Sequence, residues 1–431
     1  MKKYIAILFL GTGLLAACNE PQEKKEVTEK QETKKDTVTV ERQTPTQTAL
    51  TLPILDALFF EKDFSASLKS QLNLTAAQIA KLKSAAHASV EDLTEDGSTN
   101  SGSLRTATQQ YEERINEIIG ADKAQQLLSL INSRYSQGLD GLAPTQPNFV
   151  PKDTRIVVNA PAFRMDVFQD GKLLKSYKVG IGYPEFPLPT GMRRADTIIF
   201  RPSWIPPDEP WVRGKFAPGR KVSGADEDNP LGVIKIPIGL PSLIHGGKPE
   251  EKIGNFASHG CVGLMNSQVK DFAPLLIRIG GAQESETEIA ALIKQTKTKS
   301  IRLTNPVPVD LRYETIVAQG DSLHIYRDVY ERGTNTPENA KAVLAVYGIN
   351  YEQLNTQEKA GLDAALNEMN TDPKGNPIAE NGEGGKDGVA ASKIARSKQG
   401  KVTSKIKGDK ERVVAIAALG GKGYPAPIMN K

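Results

Sequence analysis

The sequence predicts a multidomain α+β chain. A mainly β sandwich or barrel-like domain is preceded by a small helical domain and followed by a β extension and a helical, low-complexity C-terminal region. Three observations carry this reading: apolar residues recur at helical spacing over residues 49–145, alternate with a period of two from residue 153, and return to helical spacing after residue 336. At 431 residues, 39% hydrophobic and 25% charged, the chain can bury at least one sizeable core and is long enough for about three domains. A formal net charge of +4 is small for this length, and no segment interleaves basic and aromatic residues, so nucleic acid is not an expected partner.

The N-terminus opens with a basic pair, Lys2 and Lys3, followed by an apolar run from Tyr4 to Leu15 that is too short for a mature membrane span. Ala16, Ala17 and Cys18 follow, and "LAAC" resembles the lipobox of bacterial lipoproteins. That resemblance implies a signal peptide over residues 1–17, cleavage before Cys18, lipidation of Cys18 and a membrane anchor. Several acyl chains make such anchoring stable. Asn19 is not the aspartate of an inner-membrane retention signal, so the expected address is the cell envelope, at the outer membrane if the cell is Gram-negative. Residues 18–48 are mostly Glu, Lys, Thr and Gln. They cannot bury enough apolar surface to offset ordering entropy, and are expected to form a disordered tether.

The helical domain, 49–145, contains "LKSQLNLTAAQIAKLKSAA" and "YEERINEIIGADKAQQLLSLINSRY", with Thr75 as an N-cap. It carries no chemistry-bearing motif, and His87 stands alone in it. In the β domain, 153–304, "FRMDVF" alternates Phe163, Met165 and Val167 with polar residues, and Asp170-Gly171 makes a hairpin turn into "KLLKSYKVGIG". "DTIIF", "GVIKIPI" and "SLIHGG" read as further strands, and Asn266 as the cap of a helix through "SQVKDFAPLL". Residues 305–335 read as the β extension, 336–370 as helical and 371–410 as a long loop or disordered stretch; the tail "RVVAIAALGGKGYPAPIMNK" fits one strand or one helix.

Only two cysteines occur, and Cys261 sits in "SHGCVGL", with two of the four histidines, His259 and His245, close before it. A thiolate is the nucleophilic form of cysteine, and a nearby imidazole can take its proton to leave a thiolate–imidazolium pair. Glycine before the cysteine permits a backbone that other residues resist and lets a substrate approach. Amide groups around such a turn can face an oxyanion, each worth ~3 kcal/mol in acyl transfer. The bland alternatives are a Cys261 that is merely a small buried apolar residue and a His245 that is a satisfied core residue. No metal-ligand spacing or nucleotide fingerprint stands out, so no cofactor is called for.

"IHGG…IGNFASHGCVGL" resembles the L,D-transpeptidase (YkuD-type) catalytic domain family, as do "VVNAPAFRMDVFQDGKLLKSYKVGIGYPEFPLPTG" and "NPLG" upstream. A chance Ser-His-Gly-Cys in a chain of this length has odds of roughly one in a thousand. The resemblance implies a cysteine acyltransferase acting on peptidoglycan stem peptides in cell wall biogenesis. Such an enzyme attacks the third residue of a tetrapeptide, releases terminal D-Ala and passes the acyl group to an amine.

Carried over to this chain, Cys261 is the nucleophile, His245 the proton donor and acceptor, and the Gly246 carbonyl the group that orients His245. His259 is supporting, Gly260 and the Cys261 amide are oxyanion donors, and Ser258 lies on the oxyanion or substrate side. Gly263 stands where many members carry arginine, and Asn255 where a basic residue is common; Arg193, Arg194 and Arg213 are the candidates to restore charge. The acceptor stays open, since water in place of an amine gives an L,D-carboxypeptidase or a hydrolase of the same bonds. A non-catalytic wall-binding lipoprotein is the reading from another class, and the helical domain offers a surface for envelope protein partners.

Overall fold

The computed structural model describes Leu55, Leu58, Phe59 and residues 64–91, 104–140, 148–378 and 401–429, apart from 189, 207–211, 213–215, 218 and 239–241. The expected signal peptide, Cys18, the tether and residues 379–400 lie outside the described residues. Among those described, no helix is long and apolar enough to cross a membrane.

Four helices make up the first region: α1 (Phe64–Leu72), α2 (Ala76–Glu91), α3 (Leu104–Ile119) and α4 (Ala121–Asp140). Their apolar faces meet in one core that includes Phe64, Leu82, Ile115, Leu127 and Ile131. Thr75 caps α2 reciprocally: the Gln78 amide donates to Thr75 Oγ1 at 3.2 Å, and the Thr75 amide donates to Gln78 Oε1 at 3.0 Å.

The β domain is built from β1 (Arg155–Asn159), β2 (Arg164–Gln169), β3 (Lys172–Lys178), β4 (Ile181–Gly182), β5 (Gly191–Phe200), β6 (Ile234–Pro237), β7 (Leu243–His245), β8 (Phe256–Ser258), β9 (Val262–Gly263) and β10 (Lys299–Arg312), with helices α5 (Asn266–Ile279) and α6 (Glu286–Lys294) between the last two strands. Eight strands form one sheet in the order β3-β2-β1-β10-β5-β6-β7-β9, while β4 and β8 pair separately and in parallel. Gly180, just past β3, exchanges two 2.8 Å backbone hydrogen bonds with Gly263 of β9, which ties together the two ends of the strand order. The result is the curled, barrel-like sheet that the alternating pattern anticipates. Its core holds Ile156, Met165, Val167, Ile198, Phe256 and Phe272, the last from α5.

Two features depart from the sequence reading. The period-two pattern of β2 leaves one polar face, yet Phe168 and Asp166 on that face are buried. The tail covers them: Tyr424 meets Phe168 edge-on at 5.9 Å, and Arg164 both pairs with Asp166 and lies over the Tyr424 ring. Second, the domain boundary expected at 304 falls inside β10, a 14-residue strand that pairs with β1 on one side and β5 on the other. The strand crosses that boundary because Ile301 and Leu303 continue into Val307, Val309 and Leu311 of the same core.

The expected division at 336 is also absent from the fold. β11 (Ile316–Gln319), β12 (Ser322–Tyr326) and β13 (Glu411–Ala415) form a three-stranded sheet that shares a core with α7 (Pro337–Val346) and α8 (Thr356–Met369) through Leu323, Ile325, Leu344, Leu362 and Leu366. The tail's choice between strand and helix falls to strand, because β12 offers β13 an antiparallel edge. Residues 401–410, expected as loop or disorder, are docked: Thr403 donates from its amide and its hydroxyl to Glu185, and Lys410 Nζ donates to the Gly254 carbonyl at 2.6 Å and to Asn255 Oδ1 at 2.5 Å.

The 182–188 loop, which borders the site described below, is anchored by one buried phenol. Tyr330 Oη accepts from the Leu188 amide at 3.1 Å and donates to the Gly182 carbonyl at 3.0 Å. Tyr330→Phe strands both groups and should cost about 2 kcal/mol of unfolding free energy. Urea denaturation checks this, and an unchanged midpoint would show that the phenol is dispensable.

Candidate active site

β7 and β9 run parallel, with Ile244 opposite Val262 and His245 opposite Gly263. The loop between them folds back through a short 3-10 turn at Glu250–Lys252 and through β8, so the chain returns alongside its own starting strand. Cys261 immediately precedes β9 and is two residues from the partner of His245. The fold therefore brings the expected nucleophile and the expected base to neighbouring strands.

His245 is fully buried. Its Nδ1 lies 2.8 Å from the Gly246 carbonyl, which assigns the proton to Nδ1 and leaves the Nε2 lone pair for other work. Nε2 has no hydrogen-bond partner among the described residues. Burial first, and then the positive charge of Lys248, push the imidazole well below its usual proton affinity; the buried Lys235, opposite His245 on β6, adds to this, while the Gly246 and Pro230 carbonyls oppose it. The imidazole is therefore neutral near pH 7.

Cys261 is a buried free thiol, packed with Trp204, Val212, Val222, Leu231 and Leu243. Its turn is locked by Ser258, whose hydroxyl donates to the Cys261 carbonyl at 2.6 Å and accepts from the Cys261 amide at 2.9 Å. Ser258, expected on the oxyanion or substrate side, is buried and bonded within the turn, and the Cys261 amide, expected as an oxyanion donor, has the Ser258 hydroxyl as its acceptor. Gly260 keeps that possibility. Its φ of +111° is a conformation that side-chain-bearing residues avoid, and its amide finds no acceptor among the described residues. The Gly260 carbonyl accepts from the buried Ser242 hydroxyl at 2.9 Å.

His259 meets Tyr183 and Phe186 edge-on, with ring centroids at 5.1 and 4.7 Å. Such packing suits a supporting role, since it fixes the 182–188 loop against the Cys261 turn.

Sequence reasoning missed Asn266. Read there as a helix cap, it is instead the first residue of α5, and Met265 occupies the cap position. Its Oδ1 accepts from the Val233 amide at 3.1 Å and from the Gly247 amide at 3.0 Å, so one side chain joins the "NPLG" segment to the loop after His245. A Cβ on Gly232 or Gly246 would come within 2.3 or 2.6 Å of that oxygen. The glycines around the motif were the available signal that a side chain packs against the backbone there.

Position 263 has a neighbour the sequence did not nominate. A Cβ on Gly263 would lie 2.7 Å from Cγ of Lys248 and 3.1 Å from its Cε, so the lysine stem covers the glycine. Arg193 and Arg194 sit on β5, which β6 and β7 separate from β9 in the sheet order, and Arg213 lies outside the described residues.

Two outcomes follow from this geometry. Ser258→Ala removes both turn bonds and leaves the Cys261 amide buried without an acceptor, which should lower stability by about 1–3 kcal/mol in denaturant titration; an unaffected midpoint would mean the turn holds without them. The folded chain disfavours protonated His245, so stability should fall as pH drops below about 6.5, the unfolded imidazole's range, until the lowered folded value is passed. His245→Gln lacks that proton site, and its Tm should decline less than the wild type's between about pH 7 and pH 5. Parallel declines would show that His245 does not contribute.

Known proteins similar to this chain match over the same region. Residues 153–289 match the family model of the L,D-transpeptidase catalytic domain, YkuD. The chain is 27% identical over 132 residues to the putative L,D-transpeptidase YqjB of Bacillus subtilis, covering 29% of this chain and 68% of that protein. It is 29% identical over 178 residues to the probable L,D-transpeptidase ErfK/SrfK of Escherichia coli, covering 35% of this chain and 56% of that protein, so the match spans little more than half of that relative's length. Among solved structures, an L,D-transpeptidase from Mycobacterium smegmatis aligns over 37% of this chain and 58% of its own, at 15% identity and a TM-score of 0.22. The catalytic domain of the Enterococcus faecium L,D-transpeptidase aligns over 38% of this chain and 98% of its own, at 20% identity and a TM-score of 0.21. The family match and the listed relatives thus make residues 153–289, the segment that holds the Ser-His-Gly-Cys motif, similar to the L,D-transpeptidase catalytic domain.

Proposed function

We propose that this protein is a peptidoglycan L,D-transpeptidase that uses Cys261 to transfer an acyl group from a tetrapeptide stem to an amine acceptor. The observation that carries the reading is a buried, neutral His245 whose Nε2 lacks a partner, on a strand paired directly with the strand that Cys261 enters.

In this reading His245 Nε2 takes the thiol proton as sulfur attacks the carbonyl of the third stem residue. The C–S bond forms and the carbonyl oxygen becomes an oxyanion, toward which the Gly260 amide is the available donor. The C–N bond to D-Ala then breaks, and the imidazolium returns its proton to the leaving amine. An acceptor amine attacks the thioester and gives its proton to His245, the C–S bond breaks, and the departing sulfur takes that proton back as thiol, which completes a cross-link or a protein attachment. Burial serves this cycle, because a neutral base at pH 7 accepts a proton only while the thiol is being consumed. The lipobox-like "LAAC" supports an address in the cell envelope with the chain held on a membrane through Cys18, and the motif-free helical domain remains available to an envelope partner.

Muropeptides from cells expressing the chain should contain cross-links between two diamino acids that are absent with Cys261→Ala. Tripeptides and free D-Ala without dimers would instead assign water as the acceptor, and identical profiles for the two proteins would refute acyl transfer. Separately, Cys18→Ser should move the protein from the membrane fraction to the soluble fraction; unchanged partition would rule out the lipid anchor.

A further inference from the structure

Lys248 is placed by its backbone as well as by its side chain. It lies three residues beyond His245, and its amide donates to the Leu264 carbonyl at 3.0 Å, while the Leu264 amide donates to the His245 carbonyl at 2.8 Å. These bonds hold the lysine beside the strand end that carries the base. From there its stem runs across the bare Cα of Gly263, the residue directly opposite His245. Any side chain at 263 would displace that stem, since its Cβ would sit 2.7 Å from Lys248 Cγ.

The chemistry of the leaving group gives this cation a task. His245 returns its proton to the nitrogen of the departing terminal residue, and that residue carries a carboxylate one carbon from the same nitrogen. A cation held next to the base faces that carboxylate whenever the nitrogen faces the imidazole.

We propose that Lys248 pairs with the terminal carboxylate of the donor stem, and that Gly263 is the vacancy in the fold which lets the lysine reach it. The inference rests on the transpeptidase reading and refines it: the chain selects donors by their free C-terminal acid, using a cation from the loop after His245 rather than from the residue that follows the nucleophile by two. Gly263 and Lys248 then act as one unit, so losing either has the same consequence. The lysine positions the leaving residue and takes no part in the proton transfer.

The test uses the purified full chain and two synthetic tetrapeptide donors, one ending in D-Ala with a free carboxylate and one with the same residue as its carboxamide. The readout is the ratio of kcat/KM for acid over amide. Any influence of Lys248 on the His245 titration acts on both donors alike and cancels in this ratio. Wild type should favour the acid by about tenfold or more, the scale of one hydrogen bond to a charged group.

Lys248→Met should bring the ratio close to one, and Lys248→Arg should retain it. Gly263→Ala, which leaves the lysine in the sequence but displaces its stem, should match Lys248→Met. A Lys248→Met protein that keeps the preference overturns the proposal, as does one in which both donors fall equally. A Gly263→Ala protein that keeps the preference overturns the coupling between the two residues. A wild type that turns over both donors equally overturns the proposal alone, whereas a wild type that turns over neither removes the transpeptidase reading and the proposal with it.

Discussion

The parallel pairing of two very short strands, Leu243–His245 and Val262–Gly263, is the constraint on which the site depends. A parallel pair requires a crossover, and here the crossover is the loop that begins at the base and ends at the nucleophile. Two- and three-residue strands have little holding power of their own. Their register is set instead by what flanks them: the two-way bond between Gly180 and Gly263 on one side, the antiparallel ladder of β6 on the other, and the Asn266 carboxamide beneath the loop. Glycines at 232, 246 and 263 each make room for a neighbouring side chain, so the small residues around the motif serve close packing as much as flexibility.

The electrostatic character of the site follows from the same enclosure. His245 is walled from water and faces two lysines, so its charged form is disfavoured before any substrate arrives. The Cys261 turn adds a second restraint, because Ser258 holds both polar groups of the cysteine backbone. The Gly260 amide, by contrast, has no acceptor among the described residues.

Much of the site was legible in the sequence because it is local. The hairpin at Asp170-Gly171, the strand ending at His245 and the Ser-His-Gly-Cys turn are short-range patterns with a stereochemical cause, and the sheet follows from their alternation. What could not be read depends on contacts between distant residues. Asn266 has the local signature of a helix cap, and only the approach of Val233 and Gly247 turns it into a strut. Phe168 reads as the exposed side of an amphipathic strand until Tyr424, more than 250 residues later, covers it. Asn255 shows no basic character, yet Lys410 from the far end of the chain stands against it. Nor does a lysine in a loop announce that it will lie across a glycine fifteen residues downstream.

The central strand of the large sheet, β10, begins ten residues after the segment that the family match covers. It separates β1 from β5 and hydrogen-bonds to both, so the half of the sheet that bears the cysteine and the half that opens the domain are joined through residues outside the recognised boundaries. A fragment excised at residue 289 would carry every motif residue yet lack the seam between its two halves, and it would be a poor surrogate for the intact protein.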